Sequence, residues 1–194
     1  MTASSSIGAR INAGRVAFAD WRRAAFANPL FAPSLAGALV VFLSDQLSKI
    51  WIVDIVRLPE RIVPCAKNAS VYCAQIPVAP IFDLTFVRNT GASFGLGAGG
   101  ASSRIILSSL VTVVVAGLIV WLGGLNRRLA AIGAAFIIGG AVGNLYDRIA
   151  YGYVVDFLDF TGLYFPWVFN VADVAINIGI AFLFADAYVN REQA

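Results

Sequence analysis

The sequence predicts an integral membrane protein, mainly α-helical, with four membrane-crossing helices and a small extracytoplasmic β-sheet. Three observations predict it. Hydrophobic residues make up 59% of the 194-residue chain and charged residues 13%, with a mean hydropathy of +0.80. Soluble domains are roughly 45–50% apolar and about 25% charged, so the excess apolar surface has to face lipid. Four apolar runs each approach the ~20 residues that cross the hydrocarbon. The long polar segment 55–103 between two of them carries strand-like period-two patterning. The chain length suits one compact bundle.

Residues 1–33 carry Arg10, Arg15, Arg22 and Arg23, with weak amphipathicity from Ile11, Val16, Phe18 and Phe26. They read as a cytoplasmic N-terminal extension. A cleaved leader does not fit: the next apolar run is longer than a leader core, and no small-residue cleavage pattern follows it. The first membrane helix is expected from Leu35 to Asp54. It contains Asp45 and Lys49 at i and i+4, acid first, the favourable order for an ion pair on one helix face. That pair either neutralises itself for insertion, or Asp45 also supports a site.

The excursion 55–103 contains Pro59, Pro64, Pro77 and Pro80. Within it, Phe82, Leu84 and Phe86 share one face of a half-buried strand over 81–87. The strand runs into Asn89-Thr90-Gly91-Ala92-Ser93-Phe94-Gly95, a turn by composition, with Phe94 as a candidate interfacial anchor. Cys65 and Cys73 lie eight apart in this segment. A disulfide suits an extracytoplasmic location; two unpaired thiols are the alternative.

The second span is expected from Ile105 to Leu122 and is followed by the short Gly123–Arg128 connection. The third runs from Leu129 to Arg148, with Gly139 and Gly143 in a small-xxx-small pattern that permits close helix approach. A loop over 149–169 leads to the fourth, from Asn170 to Tyr188. Tyr164, Phe165 and Trp167 precede it as an aromatic belt. Four spans place both termini on one side. The N-terminal arginines and Arg127-Arg128 share that side, which the positive-inside rule makes cytoplasmic. Residues 55–103 and 149–169 are then extracytoplasmic.

Composition also excludes. There is no histidine, which removes Ser-His-Asp hydrolysis and the HExxH zinc site. Two cysteines alone do not make a tetrahedral zinc site. A net charge of +3 with dispersed arginines lacks the basic stripe of a nucleic-acid binder.

Chemistry concentrates between Asn144 and Asp173. Asn144, Asp147 and Arg148 end the third span, Asn170 and Asp173 open the fourth, and Asp156 lies in the connecting loop. Polar groups this costly at a membrane boundary mark a functional site by default. Two carboxylates in a poorly hydrated pocket cannot both ionise, so the pair shares a proton. One member then deprotonates water while the other protonates a carbonyl. Asp156 and Asp173 are the candidates for that pair; the alternative is that these acids cap helices, pair with Arg148 or face water. Asp147 is expected to be scaffold paired with Arg148, and Asp159 a solvated turn residue.

Four blocks in this order resemble the lipoprotein signal peptidase (signal peptidase II) family of bacterial membrane aspartic peptidases. They are Asp45-Gln46-Leu47-Ser48-Lys49; Asn89-Thr90-Gly91-Ala92-Ser93-Phe94-Gly95; Gly139 through Arg148, running on to Val155-Asp156-Phe157; and Phe169-Asn170-Val171-Ala172-Asp173. Ser93 stands where the family commonly has alanine, and residues 1–33 have no counterpart in the motifs. The resemblance implies a four-helix membrane peptidase domain over 34–190, with 55–103 as a β-cradle over the site. It implies Asp156 and Asp173 as the catalytic pair, supported by Asn89, Asn144, Arg148 and Asn170. It further implies cleavage of diacylglyceryl-modified prolipoproteins just before the lipidated cysteine, inhibition by globomycin, and no cofactor or metal. The expected setting is the lipid of the bacterial inner membrane, with the chain acting as a monomer.

Two other readings are weaker. A Ser48/Lys49 peptidase would need neighbours that point about 100° apart on a helix to exchange a proton. A proton-coupled carrier would show an inverted repeat or a broken span, and neither is evident.

Overall fold

The computed structural model describes residues 3–65, 68–91 and 101–191, without the side chains of 3–11, 68–70, 101 and 102. Helix α1 (Ala3–Ala27) meets α2 (Phe31–Ile50) at a bend of 83°. Asn28-Pro29 causes the break, because a residue before proline is pushed out of the helical region. The Asn28 amide then fixes the corner. Its Nδ2 donates to the carbonyls of Leu125 (2.7 Å) and Gly123 (3.2 Å), and its Oδ1 accepts from Leu30 N (2.9 Å). Trp21 Nε1 donates to Val120 O at 3.2 Å. The N-terminal segment is therefore a helix docked on the end of α3 (Ala101–Gly123), firmer than its weak amphipathicity suggests.

Helix α2 continues through a π-turn (Trp51–Ile55), so its helical path covers the first expected span. Three helical stretches are long and apolar enough to cross a membrane: Ser103–Gly123, Arg128–Ala150 and Val171–Val189, with mean hydropathies of 2.7, 1.7 and 1.6. The bent α1–α2 pair is a fourth if it counts as one span. The second and third of these are α4 (Arg128–Ala150) and α5 (Val171–Val189).

Helix α4 is central and packs on α2, α3 and α5. Its buried positions are mostly Ala and Gly, including Ala131, Ala134, Gly139, Gly140 and Gly143, which lets three neighbours approach closely. Exposed Leu39, Val40, Val113 and Phe184 form the outward apolar surface that a bilayer would cover. A Cβ on Gly143 would stand 2.5 Å from Asp45 Oδ2, and one on Gly140 would strike the carbonyl of Ala172. These glycines serve helix packing. Gly143→Ala is accordingly expected to cost about 1–3 kcal/mol by overpacking. Thermal unfolding in detergent checks this; an unchanged midpoint would mean that α2 has room to yield.

Five antiparallel strands form one sheet in the order β1 (Ile62–Cys65), β2 (Asn68–Ala79), β3 (Phe82–Asn89), β4 (Val154–Asp159), β5 (Val168–Phe169). The sheet is thus larger than residues 55–103 alone suggest, because the 149–169 segment adds β4 and β5. Asp156, expected in a loop, lies within β4 opposite Val87. Leu84 and Phe86 pack on a cluster of buried Ile52, Leu58, Val155 and Phe157, which seats the sheet on the end of α2. On β3 itself both faces are half-covered, because Asp83 and Thr85 are also engaged, by Gln75 and Asp159. Cys65 and Cys73 are joined as a disulfide across β1 and β2, with Cα atoms 5.1 Å apart.

Candidate active site

The polar residues at the sheet-facing ends of α2, α4 and α5 form one connected set. Asn170 is its hinge. It caps α5 by a reciprocal box: its Oδ1 accepts from Asp173 N (3.0 Å), and Asp173 Oδ2 accepts from Asn170 N (3.3 Å). Such a box satisfies two of the donors that a helix start leaves unpaired. The Asn170 amide is fully buried, and its Nδ2 uses both hydrogens, on Asp156 Oδ1 (2.6 Å) and Asn144 Oδ1 (3.1 Å). Asn144 Nδ2 in turn donates to Asp173 Oδ1 at 2.8 Å. Asp156 and Asp173 are therefore linked through one asparagine on α5 and a second on α4.

Asp156 is 1% exposed. Its Oδ2 accepts from Asn89 Nδ2 at 2.9 Å. Burial pushes its carboxyl up to about 6, and the nearby Asp173 charge acts in the same direction. The hydrogen bonds from Asn89 and Asn170 and the charge of Lys49 oppose the rise. A carboxyl removed from water favours its neutral form, so Asp156 suits the role of proton carrier. Asn89 is held by its own turn: its Oδ1 accepts from Gly91 N at 2.9 Å, and Gly91 has φ +78°, a backbone state that glycine takes without strain. The rest of that motif, Phe94 included, lies outside the described residues.

A cavity of about 340 Å³ opens beside Asp156, lined by Val87, Arg88, Asn89, Thr90, Pro166, Trp167 and Val168. The Arg88 guanidinium lies over Tyr153, 5.3 Å from the ring centroid. A larger apolar cavity of about 500 Å³, near Pro33, Gly37, Arg128 and Phe136, lies toward the opposite end of α4 and holds none of these groups.

Behind the pair, Lys49 binds two carboxylates: Asp45 Oδ2 at 2.7 Å and Asp147 Oδ2 at 2.9 Å. All three residues are buried. The expected Asp147–Arg148 pair is not formed. Adjacent residues point about 100° apart on a helix, and Asp147 faces α2. Gln46 Nε2 also bridges Asp45 Oδ2 (3.0 Å) and Asp147 Oδ1 (3.1 Å). Arg148 donates from Nη1 to Asn144 O at 3.3 Å, and its buried Nε has no partner among the described residues. Asp159 is likewise corrected: it is 5% exposed, and accepts from Thr85 Oγ1 (2.7 Å) and Thr161 N (2.9 Å). It ties β4 to β3. The sequence reading missed Gln46 and the second partner of Lys49. The Asp45-Gln46-Leu47-Ser48-Lys49 block was their only local signal.

An apolar helical scaffold with a small antiparallel sheet over buried carboxylates is the fold of a membrane enzyme. A solved chain described as "Bacterial membrane enzyme structure by the in meso method" superposes with a TM-score of 0.65 at 21% identity, covering 84% of this chain and 91% of that one. A second of the same description gives 0.63 at 23% identity, covering 79% and 91%. The family described as Signal peptidase (SPase) II matches residues 37–189, and the chain belongs to that family. It is 43% identical over 157 residues to the lipoprotein signal peptidase of Caulobacter vibrioides, covering 80% of this chain and 86% of that one. For the lipoprotein signal peptidase of Thermosynechococcus vestitus the identity is 44% over 151 residues, covering 76% and 86%.

Proposed function

We propose that the protein is a membrane aspartic endopeptidase that removes the signal peptide from diacylglyceryl-modified prolipoproteins, cutting just before the lipidated cysteine. The observation that carries this reading is the link of Asp156 to Asp173 through Asn170 beside an open cavity. Asp173 takes a proton from water, and the water oxygen attacks the carbonyl carbon of the scissile bond. Asp156 gives its proton to the carbonyl oxygen. The tetrahedral intermediate then collapses: Asp173 gives its proton to the cysteine nitrogen as the C–N bond breaks, and a hydroxyl of the intermediate returns its proton to Asp156 as the new carboxyl forms. No cofactor or metal enters this cycle.

Four spans, the first of them built around α2, put both termini in the cytoplasm and the pair at the extracytoplasmic face of the bacterial inner membrane. The arginines of residues 1–33 and of 127–128 support that orientation. A lipid-modified cysteine keeps its acyl chains in the bilayer, which brings the scissile bond to the helix ends where the pair sits. Asn89, Asn144, Asn170, Arg148 and Asp45 support the pair, the chain acts as a monomer, and globomycin occupies the same cleft. The test is gel-shift cleavage of a lipidated precursor by the purified protein. Processing of the lipidated form that globomycin stops is the expected result; equal cleavage of an unlipidated precursor would overturn the substrate assignment.

The pair is also expected to titrate visibly. The Asp156 carboxyl rises from 3.8 to about 6 on folding. Between those values the folded protein keeps a proton that the unfolded chain has released. The stability this group contributes is therefore present below about pH 4 and lost as pH rises through about 6. Infrared difference spectra should show a carboxyl band bleaching near pH 6 that Asp156→Asn removes. Asp173→Asn, which deletes the neighbouring negative charge, should move the midpoint down. A band unaffected by Asp156→Asn would contradict the assignment.

A further inference from the structure

We propose that Lys49 is a positioning residue of the cleavage reaction, holding through Asp45 and Asp147 the two backbone segments that carry Asp156 and Asp173. The proposal rests on the reading of those two aspartates as the reacting pair.

The ammonium donates to Asp45 Oδ2 (2.7 Å) and Asn144 Oδ1 (3.3 Å) and forms an ion pair with Asp147 Oδ2 (2.9 Å). A pair formed only to neutralise charge for insertion would end there. Here both carboxylates reach further. Asp147 Oδ2 accepts the backbone N–H of Val155 at 3.1 Å, and Asp45 Oδ1 accepts that of Ala172 at 2.9 Å. Val155 immediately precedes Asp156, and Ala172 immediately precedes Asp173. One cation on α2 thus reaches β4 through Asp147 and the α5 start through Asp45.

The third arm acts on orientation. Asn144 Oδ1 accepts from both Lys49 and Asn170, so its Nδ2 has to face Asp173 Oδ1. Losing the ammonium would leave the Asn170 hydrogen bond as the one remaining hold on the Asn144 oxygen, and so weaken the orientation of its Nδ2 toward the carboxylate. The charged and titratable groups facing Lys49 are Asp45 and Asp54 from α2 and its π-turn, Asp147 from α4, and Tyr151 and Tyr153 from the α4–β4 connection, with Asp156 on β4 behind them. Outer partners that orient the ligands of metal sites change affinity or activity by about 10- to 100-fold when lost, and an effect of that size is expected of Lys49.

The test compares wild type, Lys49→Met, Lys49→Arg and Asp156→Asn, each purified whole in detergent with added lipid. Turnover of a lipidated precursor, its pH profile, and hydrogen exchange at the Val155 and Ala172 amides are read together. For Lys49→Met, kcat should fall by about 100-fold while KM stays within about threefold. Exchange at the two amides should rise by about tenfold, with mid-α5 amides unchanged. The alkaline limb of kcat/KM should move to higher pH, because a cation that opposes the rise of the Asp156 carboxyl is gone. Lys49→Arg, which keeps the charge, should restore most of the rate and of the protection.

A Lys49→Met protein with kcat within about threefold of wild type, or one that loses kcat with both amides still protected, overturns the proposal. Should Lys49→Met not fold, Lys49→Arg decides. Rate and protection moving together support the proposal, and a change in one without the other overturns it. Cleavage by Asp156→Asn within about tenfold of wild type would instead remove the underlying reading of the pair.

Discussion

Asp156→Asn is expected to cut cleavage by about ten thousandfold, the upper range for losing a positioned acid or base, while the protein stays folded. Asparagine has the shape of the carboxyl but no proton to give to the scissile carbonyl. Its cost to the fold is small. Asp156 accepts from two amides, Asn89 and Asn170, and an asparagine oxygen satisfies one of them. The lost hydrogen bond is worth about 1 kcal/mol. Against this, the substitution removes a carboxyl whose ionised form burial disfavours, so the unfolding temperature should hold or rise near neutral pH. Groups that serve function at the expense of stability behave this way. Asp173→Asn should be equally inactive but somewhat less stable, because Asp173 Oδ1 accepts from Asn144 and Oδ2 from Asn170 N. Cleavage of a lipidated precursor and thermal unfolding, measured on the same preparations, check both variants. Activity within about tenfold of wild type in either one would remove the dyad mechanism.

What was legible in the sequence divides by the range of the forces involved. The apolar helices were readable because hydropathy is a local sum. Asn170 and Asp173 stand at the spacing of a capping box, and the Asp45–Lys49 pair needs one helix turn only. Asp156 on β4 was not readable as a strand residue, because its ladder partner Val87 is 69 positions away. Asp159 was misread for the same reason: its main partner, Thr85, lies on another strand. Asp147 beside Arg148 invites a local pair, and only the packing of α4 on α2 shows that Lys49 takes it. The docking of α1 depends on Asn28 meeting carbonyls 95 and 97 positions on, which no periodicity in residues 1–33 encodes. The roles given to Asp156 and Asp173 came from the four motif blocks, while the geometry adds the asparagines that join them.

Asp147→Ala should show the opposite behaviour to Asp156→Asn: the fold fails before the chemistry can be measured. The Asp147 side chain is fully buried and serves three donors, the Lys49 ammonium, Gln46 Nε2 and Val155 N. Truncation leaves a buried ammonium with one carboxylate and a buried backbone N–H with no acceptor. Breaking a buried ion pair from one side costs about 3–5 kcal/mol, and an orphaned buried donor adds about 1–3 kcal/mol. Total stabilities are about 5–15 kcal/mol, so the loss consumes much of the margin. The expected result is a sharply lower unfolding temperature and poor recovery of folded protein from detergent. Asp147→Asn keeps an acceptor oxygen for Val155 N and should recover part of the loss, while still failing to balance the Lys49 charge. A stable, well-folded Asp147→Ala protein lacking only activity would count against a scaffold role.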